Sequence, residues 1–255
     1  MQVQWTKSDG DFILKKGEVH LWLVSLKPTQ SVLDFIVPLL APEEADRAAR
    51  FYQTRDCQRF ILARGLLRII LGRYLRSKSE SLLFSYSQKG KPELSKPITK
   101  LNFNLSHSQG YVLYAIGEYR EIGIDLEYIK EIEAMEIARR FFNSQDCQYL
   151  EESINPQDMF FKLWTAKEAY LKAIGQGIAS GLDQVSLTID QNGFYLNPTW
   201  TVHSFTPAEG YYGALACNGD LEKILGFSVT DDLDRFFQEP DHSLPYATDD
   251  KIEFS

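Results

Sequence analysis

The sequence predicts an α+β protein built from two similar halves. Two observations carry that prediction: short apolar strands alternate with long helical periods, and two segments of the first half recur in order in the second. RFYQTRDCQRF at 50–60 matches RFFNSQDCQYL at 140–150, with Arg, Phe, Asp, Cys and Gln coincident. HSQGYVLYAIGE from His107 is echoed by HSFTPAEGYYGALACNG from His203, each a His-Ser, a turn, a Gly-Tyr and an apolar strand. Two echoes in the same order point to a tandem duplication joined near residues 118–123. The expected division is an N-terminal subdomain at 1–120, a C-terminal subdomain at 121–230, and an acidic, loosely held tail at 231–255. With 255 residues, 44% apolar and 24% charged, the chain is neither disordered nor fibrous.

The elements follow in order. His20 to Leu26 and Gly110 to Ile116 are apolar runs bounded by Gly, Pro or Ser, and read as strands. Ala41 to Tyr52 and Arg55 to Arg76 have helical spacing, the first opening on Pro42 and two acids. Ala134 to Phe142 and Met159 to Ile174 are also helical, the latter stopped by Gly175 and Gly177. The longest apolar stretch is broken by Arg68 and Arg73, so no membrane span is expected, and no export signal is read at the N-terminus. Cys57, Cys147 and Cys217 lack paired spacing, which suits reduced, structural thiols in the cytosol.

The net charge of -8 hides an asymmetry. Residues 1–120 carry 18 Lys and Arg against 11 Asp and Glu, whereas residues 121–255 carry 9 against 24. Eight arginines, from Arg47 to Arg76, share thirty residues with Asp56 as the only acid. A basic face of this kind suits phosphates, nucleic acid or an acidic protein; the competing reading is a solvated helix surface.

The chemistry concentrates in the acidic half. In Glu121 to Tyr128 the alternation puts Ile122, Ile124 and Leu126 on one face of a strand and Gly123, Asp125 and Glu127 on the other. Asp125 and Glu127 then stand about 7 Å apart and need a cation or a shared proton if held close. Gly123 on the same face leaves room for a ligand to approach the backbone; the alternative is an edge strand with its polar face in water. On the helix 160–172, Glu168 is flanked by Phe161, Trp164, Leu171 and Lys172, so its charge needs a partner: Lys172 one turn on, or a metal. A plain surface Glu-Lys pair is the competing reading. Three all-oxygen ligands, Asp125, Glu127 and Glu168, favour Mg²⁺ over zinc, and Mg²⁺ commonly completes its shell with substrate phosphates. Carboxylates in one half and arginines in the other imply a phosphate-bearing substrate between them.

Upstream, Lys89 and Lys91 flank a glycine before Pro92, a pair of ammonium groups able to reach an anion or an ordinary solvated hairpin. No phosphate-binding P-loop, dinucleotide fingerprint or hydrolase elbow occurs.

Taken together, KGKP at 89–92, FNLSHS at 103–108, GIDLE at 123–127, RFF at 140–142 and LWTAKEAYLKAIGQGI at 163–178 resemble the 4′-phosphopantetheinyl transferases of the double-length, surfactin-synthetase-activating type. The correspondence runs from about Pro42 to Val229. The resemblance implies that family's fold, two similar α+β subdomains forming an intramolecular pseudo-dimer, and a monomer. It implies transfer of 4′-phosphopantetheine from coenzyme A to a serine of an acyl or peptidyl carrier protein, with release of 3′,5′-ADP. Residue by residue it implies Asp125, Glu127 and Glu168 as ligands of Mg²⁺, or Mn²⁺. Glu168 doubles as base, Lys172 offsets charge on the transferring phosphoryl group, and Lys91, Ser106 and His107 bind coenzyme A beside Lys89 and Pro92. Arg47 falls near the 3′-phosphate. Glu44 stands where some members carry a lysine, so the 3′-phosphate contact is either weaker here or supplied by Arg55 or Arg59. Asp146 stands where members often carry a glutamate near the metal. The carrier's acidity makes the arginine-rich segment a candidate docking face. A metal-dependent nuclease is the alternative; against it, the whole chain is acidic, and neither a nucleic acid nor a membrane is expected as partner.

Overall fold

The structure, a computed structural model, describes residues 3–7, 12–177, 181–190, 193–197, 199–219, 221–230, 233 and 236. Two five-stranded sheets form its centre. In the first, the order is β1 (Gln4–Lys7), β12 (Lys223–Val229), β2 (Glu18–Ser25), β6 (Tyr111–Glu118), β5 (Leu101–Ser108). In the second it is β7 (Ile122–Tyr128), β11 (Tyr211–Asn218), β10 (Trp200–Phe205), β9 (Gly193–Asn197), β8 (Thr188–Asp190). A separate hairpin pairs β3 (Leu83–Tyr86) with β4 (Pro92–Lys96).

The sheets pack face to face, each backed by helices, and strand alternation explains why. Along β2, Val19, Leu21 and Leu23 point one way and Trp22 and Val24 the other. The first set meets Ile122, Ile124, Leu126 and Leu215 of the second sheet, forming the middle layer of the core. The second set packs on Leu62, Leu66 and Ile70 of α3 (Thr54–Leu75). On the far side, Ala214, Ala216 and Val202 pack on Leu163, Ala166 and Ala169 of α6 (Pro156–Ala173). Fully burying one Leu or Ile contributes about 1.5–3 kcal/mol. Several such residues line the middle layer, so the seam is a core and not a loose contact between domains.

Both echoes fall on equivalent elements. The His-Ser echoes end β5 and β10 and run through the hairpins into β6 and β11, which are antiparallel pairs in their own sheets. The first Arg-Phe echo begins at Arg50, the residue that follows α2 (Pro42–Ala49), and runs into the start of α3; the second spans the end of α4 (Ala134–Phe141) and all but the last residue of α5 (Ser144–Glu151). The sequence reading assigns no helix to Ser144–Glu151. Asn143 caps it by accepting from Asp146 N at 2.9 Å, and a second break follows where Asn155 caps α6 ahead of Pro156. The first half has one 22-residue helix where the second has two.

Two arrangements depart from a clean split at 120. β12, from the last part of the chain, pairs in parallel with β1 and β2 and so completes the first sheet. Beyond Val229, where the sequence reads as loosely held, Leu233 and Phe236 are buried: Arg73 Nη2 donates to Phe236 O at 2.7 Å and its guanidinium lies 4.4 Å from that ring. Most of the expected acidic tail, residues 237–255, lies outside the described residues. α1 (Gln30–Ile36) packs on α3 beside Gly65. Among the described residues no helix is long and apolar enough to cross a membrane.

Candidate active site

The alternation read from the sequence holds in β7. Ile122, Ile124 and Leu126 enter the middle layer, while Gly123, Asp125 and Glu127 face α6. Gly123 serves a different purpose from the one its strand position suggests. A Cβ there would lie 2.0 Å from Ala169 O and 2.4 Å from Ala173 N, so it is α6 that approaches the backbone, not a ligand. This close crossing carries Glu168 to the two strand acids. One carboxylate oxygen each from Asp125, Glu127 and Glu168 lie within 4.8 Å of one another.

Such a cluster is unfavourable as it stands. Asp125 is 1% exposed and Glu168 4% exposed. Burial and then the Asp125 charge push Glu168 up to about 8 and Glu127 up to about 7. Lys172 offsets part of this: its Nζ donates to Asp125 Oδ1 at 2.5 Å and lies 3.8 Å from Glu168 Oε2. Burial lowers the Lys172 pKa, but Asp125, Glu168 and Glu127 outweigh it and the ammonium titrates above its ordinary value. Ser106 bridges the pair, its hydroxyl donating to Asp125 Oδ1 and accepting from Lys172 Nζ, both at 2.9 Å. Asp125 Oδ2 is buried with no hydrogen-bond partner. Three converging carboxylates, one with a free buried oxygen, are hard donors with capacity to spare, and they fit a small divalent cation.

The two sheet edges meet beside this cluster. β5 and β7 run alongside one another without a backbone ladder, and alternate side chains of β5 supply the missing partners. Asn104 Oδ1 accepts from Ile124 N at 2.9 Å, Ser106 reaches Asp125, and Ser108 Oγ donates to Glu127 Oε2 at 3.2 Å while accepting from Tyr128 N at 3.0 Å. Asn104 and Ser108 are missed by the motif reading. Their signal is the period-two polar pattern Asn102, Asn104, Ser106, Ser108, which alternates with Leu101, Phe103 and Leu105.

From Lys172 the cluster opens into a cavity of about 670 Å³ at the seam. Its lining brings together Arg47, Lys89, Lys91, Pro92, His107 and Lys172, all singled out from the sequence, with Arg59 and Arg64; Asp56 is the one acid. Gly175 and Gly177, read as helix stops, also line it, together with an apolar wall that includes Phe51 and Phe60. Partial burial, then the charges of Lys172 and Arg59, hold His107 below the usual imidazole pKa. Arg47 stacks on Phe60 at 5.2 Å. Lys91 spends its ammonium differently: it donates to Ala173 O at 2.9 Å and Ile122 O at 3.3 Å. The turn that carries it needs Gly90, whose φ of 82° lies in the left-handed region.

Several candidate residues take structural positions. Glu44, 3% exposed, pairs with Arg68 at 2.7 Å and Arg64 at 3.5 Å, and Arg68 also donates to Ser79 O and Leu82 O. The arginine run is therefore not one basic face: Arg64 and Arg68 are buried and Arg73 holds Phe236, while Arg47, Arg50, Arg55 and Arg76 stay exposed. Asp146 is fully buried against Lys167, which also donates to Leu182 O and Val185 O. Burial pushes Asp146 up and Lys167 down, each opposed by its partner. The Asp146 side chain is not among the three that converge, Asp125, Glu127 and Glu168.

Comparison with known proteins accounts for both halves. A family model described as the 4′-phosphopantetheinyl transferase superfamily matches residues 121–212, and one described as 4′-phosphopantetheinyl transferase, N-terminal, matches residues 24–118. The chain is similar to the 4′-phosphopantetheinyl transferase HetI of Nostoc sp., with 36% identity over 227 residues covering 86% of this chain and 95% of HetI. It is similar to the 4′-phosphopantetheinyl transferase Sfp of Bacillus subtilis, with 33% identity over 156 residues covering 60% of this chain and 68% of Sfp. A more distant relative is the L-aminoadipate-semialdehyde dehydrogenase-phosphopantetheinyl transferase of Mus musculus, 26% identical over 201 residues, covering 73% of this chain and 60% of that protein. With both halves matched in order and HetI covered over nearly its whole length, the chain belongs to the 4′-phosphopantetheinyl transferase superfamily.

Proposed function

We propose that this protein transfers the 4′-phosphopantetheine arm of coenzyme A to a serine hydroxyl of an acyl or peptidyl carrier protein, using Mg²⁺ and releasing 3′,5′-ADP. The observation that supports it most is a junction: the buried acidic cluster meets the cationic cavity at Lys172, which belongs to both. A substrate with a diphosphate and a third phosphate matches that division of charge. Asp125, Glu127 and Glu168 would hold Mg²⁺, with Mn²⁺ as a substitute. Bound there, the ion would offset charge on the diphosphate as its bridging bond breaks.

The chain's own residues supply the rest. Arg47, Lys89 and His107 hold coenzyme A along the cavity, Pro92 stiffens the turn beside it, and Ser106 fixes Lys172 against Asp125. Lys172 faces the phosphoryl group and offsets its charge. Glu168 takes the proton from the carrier serine, whose oxygen bonds to the phosphopantetheine phosphorus. The bond from that phosphorus to the bridging oxygen breaks, and 3′,5′-ADP leaves with the electron pair. Transfer by positioning and charge balance needs no covalent enzyme intermediate. Three free cysteines suit a reducing cytosol, and two sheets that pack on one another within one chain suit a monomer. Incubating an apo carrier with coenzyme A, Mg²⁺ and the protein is expected to add ~340 Da to one serine, the mass of the cofactor arm. An unmodified carrier across a panel of fatty-acid, polyketide and peptide synthesis carriers overturns the reading.

A further inference from the structure

Two lysines flank Gly90, and the structure treats them differently. Lys89 is exposed on the cavity rim. Lys91 turns inward, and its ammonium sits between two backbone carbonyls: Ala173 O at 2.9 Å and Ile122 O at 3.3 Å. Ala173 is the last residue of α6, whose open carbonyl end favours a cation, and Ile122 is the first residue of β7. The ammonium has three donors, and these contacts use two of them.

We propose that Lys91 is a positioning residue that clamps α6 to β7 and so fixes the spacing of the metal-binding carboxylates, while the coenzyme A contact expected of this turn falls to Lys89. The clamp sits beside the close crossing of strand and helix at Gly123, where a Cβ would collide with the backbone of Ala169 and Ala173. Asp125 lies three residues along β7 from Ile122, and Glu168 five residues back along α6 from Ala173. A small change in the angle between strand and helix at the clamp therefore opens the Asp125 to Glu168 distance, because both carboxylates ride on the rigid elements that Lys91 joins. A clamp from the hairpin also ties the cavity wall to the acidic cluster. Burial opposes the Lys91 charge, with Glu93 and Glu121 compensating, so the ammonium is committed to a site that costs desolvation.

This inference rests on the proposed transfer, and its test separates the two. Mn²⁺ affinity, read by electron paramagnetic resonance on the full chain without coenzyme A or carrier, does not depend on activity. The expected result for Lys91→Met is Mn²⁺ binding at least tenfold weaker and kcat at least tenfold lower, with KM for coenzyme A within threefold of wild type. Lys91→Arg, which keeps charge and donors, restores most of both. Lys89→Met does the reverse, raising KM for coenzyme A at least fivefold with Mn²⁺ binding intact. Unaltered Mn²⁺ binding in Lys91→Met, or an effect confined to KM for coenzyme A, overturns the clamp. If Lys91→Met does not fold, Lys91→Gln, which retains two amide donors, carries the same measurements. A wild-type protein that binds Mn²⁺ but transfers nothing overturns the functional reading and leaves the clamp to be judged on Mn²⁺ binding alone.

Discussion

Lys172 Nζ and Asp125 Oδ1 lie 2.5 Å apart, joining the helix that carries Glu168 to the strand that carries Glu127. The two residues hold opposite charges at one point, so removing each has a different consequence. Asp125→Asn deletes a ligand charge and is expected to abolish both divalent-cation binding and transfer. Lys172→Met removes a cation beside the three carboxylates, so electrostatic attraction for Mg²⁺ does not fall and is expected to rise. Transfer nonetheless drops, by about 100-fold or more, because the phosphoryl charge loses its donor. Calorimetric Mg²⁺ titration of both variants beside a carrier-labelling assay checks this; weakened Mg²⁺ binding in Lys172→Met contradicts the assignment.

Gly123 sets how close α6 comes to that cluster. An added methyl would meet Ala169 O at 2.0 Å and Ala173 N at 2.4 Å, both backbone atoms that no rotamer change can clear. Gly123→Ala is therefore expected to push helix and strand apart, costing about 1–3 kcal/mol of overpacking or more. Divalent-cation binding falls with it, since Glu168 moves with the helix. Thermal melting and Mn²⁺ titration read the two effects; an unchanged melting temperature removes the close crossing as a constraint.

How much of this was legible depended on distance along the chain. The β7 pattern was readable because its two faces enter different surroundings, the sheet seam and the helix, and period two reports that directly. The Gly123 contact was not, because a glycine that admits a helix and one that admits a ligand look alike in a strand. Glu44 and Arg68 are 24 residues apart, so an arginine window opened at residue 47 hides the acid that neutralises two of its members. Asp146 and Lys167 pair across a helix break, which the sequence pattern does not resolve. The pairing of β12 with β2 joins residues some two hundred apart, and local pattern carries no register at that range. The motifs fared better, since they mark strand edges and helix faces that converge at the seam.

The Glu44 network gives a stability prediction separate from transfer. Glu44→Ala leaves the Arg68 and Arg64 guanidinium groups buried beside one another without their carboxylate. Breaking a buried pair from one side typically costs about 3–5 kcal/mol, whereas replacing both partners by apolar side chains is often near neutral. Chemical denaturation is therefore expected to show a large loss for Glu44→Ala and a substantially smaller one for Glu44→Leu combined with Arg68→Met. The double variant still leaves Arg64 without its acid, so a partial recovery is the expected outcome. No recovery at all means that Arg68 is held by Ser79 and Leu82 rather than by Glu44.

His203 makes stability depend on pH. It lies in β10 with a buried Nε2 that has no hydrogen-bond partner, and burial pushes its pKa down from 6.5 to about 4. The folded protein thus holds the ring neutral. Below pH 6.5 the unfolded chain takes up a proton that the folded chain refuses, so folding stability falls as pH drops through 6.5 towards 4 and is independent of this group above 6.5. His203→Gln removes that titration. Urea denaturation at pH 7.5 and pH 4.5 is expected to show a larger loss on acidification for wild type than for His203→Gln, with the excess developing inside that window. Parallel losses in the two proteins place the acid sensitivity in the carboxylates instead, because those titrate in both.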